Sequence, residues 1–376
     1  MKIIIAADSF KGSLTALEAT ASIERGIKKA HLEAHTISLP VGDGGEGTME
    51  VLINATAGQK KSVPVIGPIG DEIEAEYGIL GDGKTCVIEM ATASGLHLVP
   101  NGELAPLKAT TYGTGQLMKQ ALDDGFTSFI VTVGGSATND GGAGMLLALG
   151  MQLLDSHGED IDYGGEELNK IVKIDSTNFD ARIQESSFII ATDVSNPLIG
   201  PNGASYVFGG QKGATDYEIK LLDNHLKHWA NKVHEKTNVR IHDIPGAGAA
   251  GGIGGAFKAF FSAELKPGIE VVLDYIDFNK HLADADLVIT GEGKVDHQTV
   301  FGKTAQGVAQ AANKQNVPTI IMAGAVENGF EKLYDYGVVS VNSIIRKPMS
   351  LNEAIKNAST LLEKGTEQVI RTYTIN

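Results

Sequence analysis

The stretch KIIIAADSFKGSLTALE, Lys2 to Glu18, decides how the chain is read. Three consecutive isoleucines and two alanines make a short run suited to a buried strand. The run stops at Asp8, and Gly12 and Ser13 mark a loop. Thr15 and Glu18 then have the spacing of a capping box, and Ala19, Ile23 and Ile27 fall on one helical face. A strand, an acid-bearing loop and an amphipathic helix form the opening of an α/β fold.

Working outward, HTISLPV reads as a second strand, and GEGTMEVLINATAG as a helix stopped by Gly58. The C-terminal part repeats the alternation: ADLVIT strand, GKTAQGVAQAANK helix, PTIIMAG and GVVSVNS strands, then SLNEAIKNASTLLEK with Ser350 and Glu353 as a second capping pair. The middle differs, because KSVPVIGPIGDEIEAEYGILGDGKTCVIEM alternates short strands with Gly-Pro and Asp-Gly turns and predicts antiparallel hairpins. A helix carrying Leu117 and Ala121 and the strand FIVTV follow. The expected architecture is two α/β domains. Residues 1–60 and 280–376 would build a Rossmann-like, doubly wound parallel sheet from both termini. Residues 61–279 would form an inserted α/β domain with antiparallel hairpins and glycine-rich loops.

Composition limits the function. At 376 residues the chain is long for one core. A formal charge of −15 disfavours nucleic acid as a partner, since phosphate neutralisation needs basic surface. No long uncharged apolar run is present, so no membrane span is expected, and the N-terminal run is too short for a signal peptide. One cysteine, Cys86, rules out an internal disulfide and suits the cytoplasm. The 46 glycines amount to about 12% of the chain against ~7% ordinarily, and they cluster in loops.

Those loops carry the candidate chemistry. Strand after strand ends in an acid beside glycine or serine: Asp8, Asp43, Asp193 and Glu292. Asp140 sits in GGSATNDGGAGM, whose stripped backbone at Gly134, Gly135, Ser136, Thr138, Asn139, Gly141 and Gly142 could offer amides to phosphate. Acids alone would repel phosphate, so the combination implies magnesium with a phosphorylated nucleotide. A strand-end aspartate is also a common helix cap, but the repetition across strands favours function. Lys11 lies in the first loop with Ser9 and Ser13.

Other patterns fail. GKT at Gly302–Thr304 is not a P-loop, because the required earlier glycine is His297. GAGAAG, Gly246–Gly251, fits G-x-G-x-x-G but follows no clean strand, so a glycine loop for another ligand or a tight helix packing is the favoured reading, with an NAD-dependent hydroxy-acid dehydrogenase left as an alternative. A non-catalytic sugar-acid binding protein is another. His225, His228 and His234 lack a converging third ligand and read as a solvated helix face. Gly134 and Ser136 start a G-x-S-x-G elbow that Thr138 breaks.

Taken as a set, DSFKGSLTA, PVGDGGEGT, GGSATNDGGAGM, TDVSNPLIGPNGASYVFG, PGAGAAGG and TGEGKVDHQT resemble the bacterial glycerate kinase family, of the type that phosphorylates the 2-hydroxyl. The resemblance runs in order from Asp8 past Gly307. Gly42, Gly210 and Ala305 depart from the family pattern, altering loop stiffness and removing no acid or lysine. The resemblance implies two α/β domains, ATP and Mg²⁺ as co-substrates, and D-glycerate as acceptor; a cytoplasmic monomer or homodimer is expected. By chemistry and loop position, Asp193 or Asp8 is the expected base. Lys11 with Ser9 and Ser13 is expected to clamp the carboxylate, near Asp193 and Asn196. Asp43, Glu46 and Asp140 are the candidate metal ligands, and the glycine loop with Glu292 would face the nucleotide. A kinase acting on the 3-hydroxyl or on a related small hydroxy acid stays open.

Overall fold

A computed structural model describes residues 1–100, 103–297, 299 and 303–374. The chain divides into two compact units, Met1–Thr56 with Pro267–Asn376, and Ala57–Lys266.

The first unit carries β1 (Lys2–Ala7), β2 (His35–Ser38), β11 (Leu287–Val295), β12 (Thr319–Val326) and β13 (Val338–Ser343). Between them in sequence, the second unit carries β3 (Gln59–Ile66), β4 (Glu72–Ile79), β5 (Thr85–Glu89), β6 (Ser128–Thr132), β7 (Gln152–Leu154), β8 (Lys173–Asp175), β9 (Ser187–Ala191) and β10 (Ala263–Lys266).

In the first unit the order is β13-β12-β11-β1-β2, and every pairing is parallel. The chain leaves β1 through helix Ala16–Ala30 to β2 on one side, and leaves β11 through helix Thr304–Asn313 to β12 on the other. Strand order therefore reverses between β1 and β11, and ligand sites of open parallel sheets lie at such a reversal. Both faces are covered. Ile3, Ile5, Leu287, Ile289 and Ile320 pack with Ile23 and Ile27 and with Leu362 and Ile370 of helix Ala358–Tyr373. Ile321 and Ala323 pack with Ala305 and Ala309 on the opposite face.

The expected capping box is present: the Thr15 hydroxyl accepts the Glu18 N–H at 3.2 Å and the Glu18 carboxylate accepts the Thr15 N–H at 2.9 Å. Such a cap is worth about 1 kcal/mol. The Ser350 hydroxyl likewise accepts the Glu353 N–H at 3.2 Å. It opens a short helix, Leu351–Lys356, which is separate from Ala358–Tyr373.

In the second unit the order is β10-β9-β6-β5-β4-β3, with β10, β9, β6 and β5 parallel and β5-β4-β3 antiparallel. The hairpin region thus forms one edge of a mixed sheet. Phe129 and Phe188 are register partners and stack at 4.8 Å, on a core that includes Trp229 and Phe257. The second junction lies at Lys266/Pro267, earlier than the sequence placed it. Helix Gly268–Tyr275 packs on Thr48–Thr56 and Thr304–Asn313, which fixes it in the first unit. No helix among the described residues is long and apolar enough to cross a membrane.

Candidate active site

The reversal between β1 and β11 collects acids. Ala7 pairs with Gly291, so Asp8, the first residue past β1, lies beside Glu292, which the sequence placed at a strand end but which sits inside β11, paired there with Ala323. The Asp8 N–H donates to the Gly291 carbonyl at 2.9 Å. Its carboxylate accepts the Ser9 N–H on Oδ1 and the Thr304 hydroxyl on Oδ2, both at 2.6 Å. Burial, reinforced by the charge of Asp43, still pushes Asp8 from 3.8 up to about 7. Burial and then the Asp8 charge push Glu292 up to about 8, against the pull of Lys303 and a hydrogen bond from Thr299. Glu292 Oε1 is buried without a hydrogen-bond partner among the described residues. Two acids that resist ionisation, with one oxygen unanswered, mark a place where positive charge is wanted.

Asp43 reaches this region because the chain after β2 stays against β1: the Leu39 N–H donates to Ile5 and the Val41 N–H to Ala7. Its Oδ1 accepts the Gly45 N–H at 2.9 Å, while Thr48 anchors the same loop by accepting the Gly44 N–H at 3.1 Å. Asp43 and Glu46 are exposed. In the first loop Phe10 is buried and pairs with Leu14, which lifts Lys11 into solvent. The Ser13 hydroxyl donates to the Phe10 carbonyl at 2.8 Å, so Ser13 shapes this turn. Ser9 is half-buried beside Asp8.

Among the described residues no group of three or more His, Cys, Asp or Glu is arranged to hold a metal ion. Magnesium does not need one, since it commonly takes one or two carboxylates and completes its shell with water and phosphate. The unanswered Glu292 oxygen and the raised affinity of Asp8 for a proton fit a hard divalent cation.

In the second unit Gly134 and Gly135 follow β6 and Asp193 follows β9, at the same sheet edge, because Thr132 is the register partner of Ala191. Gly135 and Asp193 are exposed, and Gly134 is half-buried. Asn196 is half-buried, and its amide donates to the Asn202 carbonyl at 2.8 Å.

The rest of GGSATNDGGAGM behaves otherwise than expected. Asp140 is 0% exposed, and it accepts the Thr111 N–H and hydroxyl, each at 2.8 Å, plus the Gly142 and Gly144 N–H groups. The Thr111 hydroxyl accepts the Met145 N–H, so its own proton goes to Asp140. Burial raises the Asp140 pKa despite these four bonds. With both oxygens taken inside the protein, Asp140 is a structural pin, and the metal role expected of it does not hold. The phosphate cradle expected of Gly141 and Gly142 fails similarly. Their N–H groups go to the Gly251 carbonyl and to Asp140, and any side chain there would meet Trp229 or Ala256. Thr138 and Asn139 are buried, and the Asn139 amide donates to Ser205 at 2.8 Å. Ser136 is nearly buried and accepts from Lys212.

Lys212 was missed by sequence reasoning. It is 2% exposed and donates to the Ser136 hydroxyl at 2.9 Å and the Thr138 carbonyl at 2.7 Å. Burial lowers it to about 7, with Asp140 pulling the other way. Nothing in QKGA distinguishes it from a solvated loop lysine. Thr304 was also missed, although the failed P-loop match had drawn attention to it; Gly302 of that tripeptide lies outside the described residues.

Two further motifs are packed into the second unit. GAGAAG is a packing device: the Gly248 N–H donates to the Asn196 carbonyl, and a Cβ at Gly251 would lie 2.0 Å from the Thr138 carbonyl oxygen. His225 is buried against the Gly165 carbonyl at 3.0 Å and His228 meets that of Ile171 at 2.7 Å, so these two are packed, while His234 is exposed as expected.

A family profile described as the Glycerate kinase family matches residues 3–374. The chain is 48% identical over 367 residues to a glycerate kinase of Halalkalibacterium halodurans, covering 98% of this chain and 97% of the relative. It is 45% identical over 375 residues to a glycerate 2-kinase of Escherichia coli, covering 100% and 98%. A crystal structure provisionally assigned as glycerate kinase 2 from Salmonella typhimurium LT2 superposes with a TM-score of 0.88 at 46% identity, covering 99% of this chain and 98% of that one.

Proposed function

The chain belongs to the glycerate kinase family, a family of phosphotransferases with an alcohol acceptor, and from that premise we propose that it transfers the terminal phosphoryl group of ATP to the 2-hydroxyl of D-glycerate in the presence of Mg²⁺. The observation that carries this reading is the Asp8–Glu292 pair at the strand reversal, raised to about 7 and about 8 and left with an unanswered oxygen.

Phosphoryl transfer asks a protein for positioning and charge neutralisation more than for covalent chemistry. Glu292, Asp43 and Glu46 would hold Mg²⁺ directly or through water, and the cation supplies neutralisation of the phosphate charge. This moves Glu292 from the nucleotide side, where the sequence put it, to the cation side. Asp8, with a pKa near neutrality, accepts the proton of the attacking hydroxyl, and a base is most effective when poised near the working pH. Lys11, lifted free of the loop by Phe10, clamps the glycerate carboxylate, with Ser9 beside it. In the second unit Gly134, Gly135 and Ser136 are assigned to the nucleotide, and Asp193 and Asn196 to substrate. Asp193, exposed at its sheet edge, is the second candidate for the base.

The test is to incubate the protein with ATP, Mg²⁺ and D-glycerate and identify the product by NMR. 2-Phosphoglycerate is expected. 3-Phosphoglycerate would overturn the regiochemistry and leave the reaction class standing. Asp8→Asn and Asp193→Asn separate the two candidate bases, and if Lys11→Ala leaves the KM for glycerate unchanged the carboxylate clamp is wrong.

A further inference from the structure

The GKT tripeptide fails as a P-loop, and the roles above leave its threonine without one. Thr304 opens helix Thr304–Asn313 and is 2% exposed. The cap position before it is held by Lys303, a residue type whose side chain has no acceptor to offer the first amides of a helix. The threonine hydroxyl is turned onto Asp8 Oδ2 at 2.6 Å, bridging residues 296 positions apart. The Ser9 N–H holds the other oxygen at 2.6 Å. Two donors, one from each side of the strand reversal, thus hold both oxygens of a single carboxyl group and set its plane.

We propose that Thr304 is a positioning residue for phosphoryl transfer, its hydroxyl holding the Asp8 carboxylate in the orientation from which it takes the proton of the substrate alcohol. The inference rests on the assignment of Asp8 as the base. In the step it serves, the substrate O–H bond breaks and its proton passes to Asp8. The freed oxygen forms the new P–O bond, and the bond to the leaving group breaks with its electron pair staying on ADP. A neutral donor is well suited here, because it fixes the carboxylate and adds no charge. A lysine or arginine in its place would hold the proton-accepting oxygen in an ion pair and weaken it as a base. An aliphatic side chain of the same shape would leave Oδ2 with no donor from this helix and the carboxyl free to rotate. Misorientation of a reacting group by a fraction of its length is costly in rate, while affinity for the ground-state substrates is untouched.

The experiment compares wild type, Thr304→Val, Thr304→Ser and Asp8→Asn as purified full chains, measuring kcat, KM for D-glycerate and for ATP, and the melting temperature. Thr304→Val is expected to lower kcat by about tenfold or more, the effect of losing a hydrogen bond to a charged group, with both KM values within about twofold and the protein still folded. Thr304→Ser keeps the hydroxyl and restores most of kcat. A valine variant within about twofold of wild-type kcat would overturn the proposal, as would a serine variant as impaired as valine. So would a loss of rate that follows the loss of folded protein. Asp8→Asn distinguishes the levels: an active asparagine variant removes the base assignment and this inference with it. An inactive one beside a fully active Thr304→Val removes this inference alone.

Discussion

Replacing Asp8 by asparagine should make the ligand-free protein more stable while sharply lowering its turnover. The Asp8 carboxyl is raised from 3.8 to about 7, chiefly by burial and then by Asp43. Its folded pKa lies above its unfolded one. The stability linked to it is therefore complete below pH 3.8 and drains away as pH rises toward about 7. A gap of about three units makes the ionised group cost ~4 kcal/mol at pH 8 and ~2 kcal/mol at pH 5. Asparagine carries no charge and keeps an acceptor for only one of the two donors, Ser9 N–H and Thr304 hydroxyl, a loss of about 1 kcal/mol. The variant should then exceed wild type by ~3 kcal/mol at pH 8 and ~1 kcal/mol at pH 5. Urea unfolding across that range, with EDTA present, measures the difference. A difference that stays flat with pH, or a variant weaker than wild type at pH 8, refutes the electrostatic account. Turnover of the same variant should fall by about a hundredfold or more, the size of a lost general base.

The remaining predictions concern the second unit. Lys212 is lowered to about 7, so its contribution has the opposite sign: stability rises as pH passes from 7 toward 10.5. Wild type should gain about 2 kcal/mol from this group between pH 7 and 9. Lys212→Met should lack that gain, and equal slopes of unfolding free energy against pH would contradict it. Gly251 has φ +71 and a Cβ there would lie 2.0 Å from Thr138 O, so Gly251→Ala should cost about 3 kcal/mol or more in chemical denaturation. Gly83, at φ +65 with nothing nearby, isolates the backbone term, and Gly83→Ala should cost only about 1 kcal/mol. Equal losses at the two sites would show that the close approach at Gly251 does not matter.

Part of the candidate site was legible because Asp8 and Asp193 closely follow the ends of β1 and β9, where a local pattern announces them, whereas Glu292 lies inside β11. Asp8 is marked by the isoleucine run before it, which forms β1, and Thr15 by the glutamate three residues on, with which it forms the capping box. Asp140 carries the same local signature, glycines after a β-branched run, yet it is wholly buried. Its fate is set by Thr111, 29 positions away, which no strand-end pattern reveals. Lys212 and His225 are similar: polar residues in polar stretches, buried because carbonyls and hydroxyls of distant segments receive them. The unit junction at Lys266/Pro267 was misplaced because helix Gly268–Tyr275 has no compositional mark of belonging with the termini.

By itself the sequence determined the alternation of strands and helices, the caps that start them, the hairpin edge, and through its six loop motifs the family. Those features depend on backbone preference and on hydrogen bonds spanning a few residues, which neighbouring side chains control. Only the tertiary structure decided which acids stand together. Asp8, Glu292 and Thr304 are joined by the order of strands in a sheet, and that order follows from how buried faces pack across the whole unit. The same packing answers Asp140 with four donors and leaves Glu292 Oε1 with none among the described residues, which is why the proposed cation site rests on Glu292 and not on Asp140.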